Sequence, residues 1–312
     1  MHPRQSPPKL LFMRAKHTLN LVWRRSVLDG VLETQFIRDV LLAQIKRPIR
    51  WLAIEDSQAL PNLDHVLICS FGDPSNYIDQ LRAARHHNIG VLHLGDECGT
   101  DNIGFYAKAD YVLRHYNRQD LPTSAGLCRS VTWVPNGWAQ GVGPRIRESL
   151  PNFYNRTHEF FFSGYLGSKT NPISERQAML IALKNLDRPA KVMLTGGFGQ
   201  GLGPASYSAY MTNTQFAMAP EGNAPDSMRF YDALECGALP VVTDGPWLHA
   251  ENGLAARGTP PVVIINSWSD LAKLDASKFD ETSQRTLPLW WENFKNYIAA
   301  RVHDVIEDGF VV

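Results

Sequence analysis

The sequence predicts an α/β fold made of two Rossmann-like, doubly wound halves that face each other across a cleft. Short continuous apolar runs alternate with amphipathic stretches along the chain, which is typical of parallel sheets covered by helices on both faces. The alternation is interrupted at residues 136–157, where Gly, Pro, Asn and Arg are frequent and no period is visible. With 312 residues and 44% hydrophobic content, the chain can bury a core on each side of this linker.

The first half, residues 1–150, is expected to form a parallel sheet. Its strand candidates are the apolar runs at residues 9–13, 49–54, 65–71, 89–95, 111–116 and 131–135. Residues 31–45 and 76–88 carry apolar side chains at three- and four-residue intervals, which indicates helices between the strands.

The second half, residues 151–312, repeats this pattern. Its strand candidates lie at residues 159–164, 190–196, 215–220, 238–244 and 260–267, and its helix candidates at residues 174–186, 226–237 and 289–308. The last helix is expected to cross back and pack on the first half. In such a fold a ligand binds in the cleft, at the carboxyl ends of the strands.

Composition excludes several functional classes. The 31 basic and 31 acidic side chains balance, so a protein that works mainly by neutralising nucleic-acid phosphates is not expected. The four cysteines form no Cys-x-x-Cys pair, which argues against a disulfide framework or a zinc site. No apolar run reaches the roughly 18 residues of a membrane span, and no signal peptide is visible. The prediction is a cytoplasmic protein, unless a membrane anchor has been removed. The basic residues between 14 and 25 suit peripheral contact with an anionic membrane, although solvated charge is the favoured interpretation.

The most informative motif lies at residues 220–245. A predicted strand is followed by a polar loop that contains Glu221 and Gly222, and either Asp226 or Ser227 then supplies the N-cap of a helix. The free backbone N–H groups at a helix N-terminus favour a phosphate or a carboxylate. We therefore expect these four residues to lie beside a bound anion.

Arg229 and Asp232 follow in the first turns of this helix. A guanidinium near a helix N-terminus is mildly unfavourable by itself, but arginine can bind a diphosphate through two parallel hydrogen bonds. Asp232 comes three residues later on the same helix face and is suited to accept hydrogen bonds from ribose hydroxyls. The alternative is a surface ion pair between the two side chains on an ordinary helix.

Residues 227–242, Ser-Met-Arg-Phe-Tyr-Asp-Ala-Leu-Glu-Cys-Gly-Ala-Leu-Pro-Val-Val, resemble the signature of the exostosin-like glycosyltransferases (glycosyltransferase family 47). That signature runs Ser-x-Arg-x-x-Glu-Ala-(apolar)-x-x-Gly-x-x-Pro-Val and follows an apolar strand that ends in Pro-x-Gly, as residues 220–222 do. Asp232 replaces the usual Glu, which keeps the charge and shortens the reach by one methylene. The resemblance is strong over this segment and looser over the rest of the second half. The first half aligns poorly.

The resemblance implies a GT-B fold, with the acceptor site in the first half and the donor site in the second. It implies that Asp232 binds the ribose of a nucleotide-sugar donor and that Arg229 binds its diphosphate. Residues 159–180 look like the element that opens the donor domain of the family, in which Gly164 and Arg176 occupy matching positions.

No metal or other cofactor is expected. The sequence contains no Asp-x-Asp triplet of the kind that holds a divalent cation on a sugar nucleotide in transferases of the other main fold. Arg229, Arg176 and Lys169 would instead stabilise the departing nucleoside diphosphate, together with helix N-termini. Lys169 belongs to a glycine-containing loop, residues 164–169, that can approach phosphates closely, although such loops are common in surface turns.

The catalytic base is expected at the end of the strand at residues 89–95. Asp96 and Glu97 are adjacent carboxylates that follow this strand, and His93 precedes them. Arg114 ends the next strand and is a second candidate for the acceptor side of the cleft. Loop solvation or helix capping explains the carboxylates equally well, and a structural strand end is the alternative for Arg114.

The resemblance implies an inverting transfer of a sugar from a nucleoside diphosphate to a glycan hydroxyl. UDP is the expected nucleotide, and xylose, glucuronic acid, galactose and N-acetylglucosamine are all used within the family. A cytoplasmic member points to a bacterial or viral enzyme of surface polysaccharide or glycoprotein glycan synthesis, for which the acceptor can be lipid-linked. Two alternatives stay open: a sugar- or nucleotide-binding module without turnover, and a nucleotide-sugar epimerase with the same two-lobed cleft.

Overall fold

The computed structural model describes residues 18–55, 58, 63, 65–85, 88–118, 121, 130–167, 174–197 and 199–308. The described residues contain two parallel sheets, one of six strands and one of five. The six strands of the first sheet precede residues 136–157 and the five of the second sheet follow them. This is the two-sheet α/β architecture that the alternation of apolar runs and amphipathic stretches predicts.

The first sheet consists of β1 (Leu19–Arg24), β2 (Ile49–Ile54), β3 (Val66–Ser70), β4 (Ile89–His93), β5 (Tyr111–Arg114) and β6 (Ser130–Trp133). Its strand order is β2-β1-β3-β4-β5-β6. Successive side chains of β3 point into two different cores, Val66 and Ile68 into one and Leu67 and Cys69 into the other. Both faces of the inner strands β3, β4 and β5 are buried, and these strands are mainly apolar in sequence.

The second sheet consists of β7 (His158–Gly164), β8 (Ala190–Leu194), β9 (Thr214–Met218), β10 (Leu239–Thr243) and β11 (Val263–Ile265). Its order is β11-β10-β9-β7-β8, and all its strands are parallel. The carboxyl ends of β7, β9 and β10 are therefore neighbours. The loops that leave these three strands meet at one edge of the sheet, where the candidate site lies.

Seven α-helices connect and cover the strands. They are α1 (Arg25–Leu28), α2 (Thr34–Phe36), α3 (Ser75–Ala83), α4 (Glu175–Lys184), α5 (Pro204–Thr212), α6 (Met228–Glu235) and α7 (Leu287–Asp308), as counted in the part of the chain that the structure describes. Short 3₁₀ turns lie at Gly104–Lys108, Arg147–Ser149, Phe153–Asn155, Pro246–His249, Trp268–Lys273 and Ala276–Lys278, and π turns at Ile37–Leu41 and Thr282–Thr286.

The C-terminal helix α7 crosses back to the first half, as predicted. The guanidinium of Arg47 pairs with Glu307 at 2.7 Å, and the side-chain amide of Gln44 donates to the carbonyl of Asn296 at 3.3 Å. On its inner face, Phe294 of α7 belongs to an apolar core that continues from the first sheet into the second. Each such fully buried side chain contributes about 1.5–3 kcal/mol to folding. Within the described residues, no helix is long and apolar enough to span a bilayer.

Several elements differ from the sequence prediction. Strand β1 was not predicted, although it lies inside the first sheet between β2 and β3. Its run Leu-Asn-Leu-Val-Trp-Arg contains a buried polar residue, Asn20, whose amide is satisfied by backbone carbonyls of residues 18 and 65. Helix α5 was also missed, because its sequence has no apolar period. The helix predicted at residues 31–45 is shorter and becomes a π turn after α2. The predicted strand at residues 9–13 lies outside the described residues.

Candidate functional site

The β9–α6 connection forms the centre of the site. Ser227 adopts the extended backbone of an N-cap residue, and its carbonyl accepts the first helical hydrogen bond from Phe230. Its hydroxyl finds no hydrogen-bond partner among the described residues. Asp226, the other N-cap candidate, is buried, and burial raises the pKa of its carboxyl to about 7. The helix thus begins where the sequence predicts, with an unused hydroxyl at its N-terminus.

Arg229 reaches from the first turn of α6 to the carboxyl end of β7. Its Nε donates to the carbonyl of Ser163 at 2.7 Å, and its guanidinium lies 5.1 Å from the ring centroid of Phe162. These contacts hold the guanidinium against the backbone of Gly164. A side chain at Gly164 would overlap the Nη2 atom of Arg229 and would displace the guanidinium from this strand end.

Arg176 approaches the same edge from the first turn of α4. Its Nη1 donates to the carbonyl of Tyr165 at 2.8 Å and its Nε to the carbonyl of Glu221 at 3.2 Å. A Cβ atom at Gly222 would lie 2.6 Å from its Nη2 atom. Burial, and next the positive charge of Arg229, lower the pKa of Arg176 to about 10.

The two arginines therefore form a cationic pair at the ends of β7 and β9. Each is positioned by backbone carbonyls, and neither forms an ion pair with a carboxylate of the described residues. Two guanidinium groups that repel each other in a partly buried place are stabilised by a shared anion. Lys169, the third predicted cation, lies outside the described residues.

A cavity of about 530 Å³ lies at the same edge of the sheet; neither arginine lines it, but Glu221, whose carbonyl accepts from Arg176, does. It is lined by Asn117 of the first half and by Glu175, Ala219, Glu221, Pro225, Val242, Thr243, Asp244, Gly245, Pro246, Trp247 and Ala250 of the second. The Glu175 carboxylate accepts hydrogen bonds from the Glu221 amide and from the Thr243 hydroxyl, and so fixes the β9 and β10 loops relative to α4. Glu175 was not among the predicted site residues, because its partners Glu221 and Thr243 lie far from it in sequence. Within the described residues, no group of three or more His, Cys, Asp and Glu side chains is arranged to hold a metal ion.

Asp232 is buried behind Arg229 instead of facing the cavity. Its Oδ1 accepts from the amide of Ala139 at 2.8 Å and its Oδ2 from the hydroxyl of Tyr207 at 3.0 Å. Burial raises the pKa of Asp232 to about 7. In this arrangement the carboxylate joins α6 to the segment that follows the first sheet. The predicted ribose contact stays a prediction.

Glu97 joins the two halves across the cleft. Its Oε2 accepts from the side-chain amide of Asn223 at 2.7 Å, and its Oε1 lies 3.5 Å from the hydroxyl of Tyr116. Asn223 belongs to the same loop as Glu221 and Gly222. Glu97 therefore lies next to the donor loop, in a position where it can meet a substrate bound in the cleft.

Asp96 lies in a different environment from its neighbour. Its Oδ1 accepts from the amide of Asp101 at 2.7 Å, and its Oδ2 accepts from Arg114 and from Arg118, each at 3.0 Å. Burial by itself would raise the pKa of Asp96, but these three hydrogen bonds together lower it. A carboxylate that is fully bound and has a lowered pKa is a poor proton acceptor. The geometry favours Glu97 over Asp96 as a base.

His93 and Arg114 belong to the buried network beneath Asp96. The Nδ1 of His93 lies 2.8 Å from the hydroxyl of Tyr106, and its Nε2 lies 3.1 Å from Asp101. Arg114 donates to the same tyrosine hydroxyl at 2.8 Å and to the carbonyls of residues 115 and 116. Both side chains are fully buried. In this structure they support the loop at the end of β4 and do not face the cleft, so their predicted acceptor contacts have no direct support in the geometry.

Comparisons with known proteins give a family match over part of the chain and several similar solved structures. Residues 202–311 match the family model of the RXYLT1 C-terminal domain. No curated protein matches the chain in sequence. Among solved structures, the chain is similar to a glycosyltransferase from Rickettsia africae ESF-5, with a TM-score of 0.56, 12% identity and coverage of 95% of this chain and 99% of that one. It is also similar to sucrose-phosphate synthase from Thermosynechococcus elongatus, with a TM-score of 0.54, 9% identity and coverage of 94% and 99%.

At these identities the solved structures establish the fold, and the family match covers the part of the chain that contains α6 and α7. The match includes Arg229 and Asp232, on which the sequence resemblance depends. The chain thus has the GT-B fold of the glycosyltransferases it resembles, and residues 202–311 match the RXYLT1 C-terminal domain.

Proposed function

We propose that this enzyme transfers a sugar from a UDP-sugar to a hydroxyl of a glycan, with inversion at the anomeric carbon. The observation that carries the proposal is the pair of guanidinium groups, Arg176 and Arg229, at the carboxyl edge of the second sheet. Arg176 donates to the carbonyl of Glu221, a residue that lines the cavity of about 530 Å³. A pyrophosphate carries the charge and the oxygen atoms that such a pair can bind, and the cavity has room for the rest of the donor.

In the proposed reaction the acceptor oxygen attacks the anomeric carbon while the bond to the β-phosphate oxygen breaks. The electron pair of that bond leaves with the nucleoside diphosphate, where Arg176 and Arg229 stabilise the developing charge. The proton of the acceptor passes to a side chain of the cleft that acts as a base. We propose that the arginines supply the charge neutralisation that a divalent cation supplies elsewhere, so that no metal is needed.

The test is UDP release from UDP-xylose, UDP-glucuronic acid, UDP-galactose and UDP-N-acetylglucosamine, each with methyl glycosides as acceptors. We expect the enzyme to turn over one of these donors. Addition of EDTA should change the turnover rate by less than about twofold, because the charge of an arginine does not depend on a metal ion that EDTA can remove. Loss of activity in EDTA that Mn²⁺ restores would contradict the metal-independent mechanism. UDP binding without any UDP release would favour a binding module, and an altered sugar on UDP without transfer would favour an epimerase.

Gly164 offers a separate test of where the diphosphate binds. A Gly164→Ala substitution keeps both arginines, but its methyl group displaces the guanidinium of Arg229 from the end of β7. The loss of one charge-assisted hydrogen bond, about 1.5–3 kcal/mol, predicts UDP binding that is weaker by about 10- to 100-fold in titration calorimetry. Gly72→Ala is the matched control, because a Cβ at Gly72 meets no atom within 4 Å. Equal UDP affinity in both variants would place the diphosphate away from Arg229.

A further inference from the structure

A histidine and an aspartate that follow β10 form a pair at the wall of the cavity. Asp244 lines the cavity, and its Oδ1 lies 2.7 Å from the Nε2 of His249. His249 ends the 3₁₀ turn that begins at Pro246, and Trp247 and Ala250, on either side of it in the chain, both line the cavity. The imidazole is therefore held by a carboxylate of the cavity wall, while 52% of its side chain stays exposed.

The bond between the two side chains orients the imidazole. The hydrogen bond with His249 is the main cause that lowers the pKa of Asp244, so the carboxylate is ionised and can only accept. The Nε2 of His249 therefore carries a proton, and Nδ1 presents a lone pair. Of the described residues, only Asp244 forms a hydrogen bond or an ion pair with the ring; the other carboxylates of the cavity wall are Glu175 and Glu221. An imidazole with one nitrogen bound to a carboxylate and the other unbound is suited to general base catalysis.

The second sheet places this pair on the opposite side of the cavity from the two arginines. Within it, β10, β9 and β7 are neighbours in that order. Arg176 and Arg229 are bonded to carbonyls at the end of β7, whereas Asp244 and His249 follow β10. Ala219, just after β9, lines the cavity between them. Two strand spacings, about 10 Å, give room for a sugar ring between the arginines and the histidine.

Inversion requires the base on the side of the sugar that is opposite the departing group. Glu97 does not meet this requirement. Its partner Asn223 adjoins Gly222, which packs so closely on Arg176 that a Cβ would lie 2.6 Å from its Nη2. Glu97 therefore lies on the diphosphate side of the cavity, where it holds the donor loop. His249 lies on the other side.

We propose that His249 is the general base of the transfer and that Asp244 positions it, an assignment that rests on the proposed function. As the acceptor oxygen bonds to the anomeric carbon, its proton moves to the Nδ1 of His249. The bond between that carbon and the β-phosphate oxygen breaks, and its electron pair leaves with the nucleoside diphosphate. The imidazolium then releases the proton from Nδ1 to solvent, which its exposure allows, and the neutral ring is restored.

The experiment compares His249→Gln with wild type, using the UDP-sugar and methyl glycoside pair from the donor panel that wild type turns over fastest. We expect kcat to fall by about 10²- to 10⁴-fold, the usual range for a lost general base, while the Kd of UDP alone changes by less than about twofold. His303→Gln is the matched control, because His303 pairs with Asp304 at 3.2 Å on α7 and neither residue lines the cavity. It is expected to retain the wild-type kcat.

Two readouts separate proton transfer from a structural role. A histidine base must be neutral, so the kcat/KM of wild type should fall on the acidic side of its pH profile, and His249→Gln should lose this acidic limb. Asp244→Asn keeps the base but removes the charge that stabilises the imidazolium, so the limb should move to lower pH. In His249→Ala, added imidazole should raise kcat by at least about tenfold, because the half-exposed position can admit a free base.

Three results would overturn the assignment. The first is a His249→Gln enzyme that retains more than a tenth of the wild-type kcat together with its acidic limb. The second is loss of the limb in Glu97→Gln but not in His249→Gln. The third is loss of UDP affinity in His249→Gln, which would make the residue a donor contact. If wild type releases UDP from no donor, the proposed function fails and the assignment fails with it. If wild type is active and His249→Gln is equally active, only the assignment fails.

Discussion

Replacing Arg229 by alanine is expected to weaken UDP binding by at least about 100-fold, because two charge-assisted hydrogen bonds to the diphosphate, each about 1.5–3 kcal/mol, are lost together. The remaining cation, Arg176, is positioned by Tyr165 and Glu221 independently of Arg229, so its contribution should persist. Titration calorimetry with UDP measures the effect directly, without an acceptor.

Two further variants make this result specific. Arg229→Lys keeps the charge but loses the planar fork, so an intermediate loss of about tenfold is expected. Arg285→Ala removes an arginine that is 80% exposed and pairs with Glu281, and it should leave UDP affinity unchanged. Arg229 also contacts Ser163 and Phe162, so its removal can affect folding as well as binding. A thermal melt of Arg229→Ala is therefore needed to show that the variant is folded. Wild-type affinity in a folded Arg229→Ala variant would refute the diphosphate site.

Replacing Glu235 by alanine is expected to lower the free energy of unfolding by about 3–5 kcal/mol, the range for removing one partner of a buried ion pair. The Glu235 carboxylate, whose side chain is 1% exposed, accepts from the amide of Arg145 at 2.6 Å, from the indole of Trp291 at 2.8 Å and from Lys295 at 3.2 Å. It therefore joins α6 to the segment after the first sheet and to α7. The amide of Arg145 and the indole of Trp291 would lose this acceptor, and Lys295 would keep only its more exposed pair with Glu292.

Lys295 provides the matched control, because it also pairs with Glu292 at 2.7 Å. Although this second pair is shorter, Glu292 is 47% exposed, so Glu292→Ala should change stability by less than about 1 kcal/mol. Urea unfolding measures the stability of both variants. Their midpoints can be compared directly if the dependence of the unfolding free energy on urea concentration is unchanged. If Glu235→Ala and Glu292→Ala lost equal free energy of unfolding, burial of Glu235 would not be the reason that its ion pair with Lys295 stabilises the protein. Glu235→Gln, which keeps the acceptor oxygen, should fall between the two.

The donor side of the site could be predicted in part from the sequence, because its signal is local. The spacing of Arg229 and Asp232 within one helix, after a strand and a polar loop, places both at the carboxyl edge of a parallel sheet. This spacing does not predict which residues Arg229 and Asp232 contact. Arg229 meets Ser163, and Asp232 meets Ala139 and Tyr207, all of them far away along the chain.

The catalytic side was harder to predict, because the relevant contacts are distant. Asp96 and Glu97 are neighbours in sequence, yet Asp96 is bound by Arg114 and Arg118, whereas Glu97 contacts Asn223 of the other half. A pattern of residues cannot distinguish two adjacent carboxylates whose environments are set by different segments.

The sequence by itself determined the architecture and the helix that carries Arg229. Continuous apolar runs alternating with amphipathic stretches fit only sheets that are covered on both faces, and helical spacing fixes which side chains share one turn. The tertiary structure alone decided which carboxylates are bound by basic side chains, as Asp96 is by Arg114 and Arg118, and which are bound by neutral donors, as Glu97 is by Asn223. Burial and hydrogen bonding set the proton affinity of a carboxylate, and both depend on residues that only the folded chain brings together.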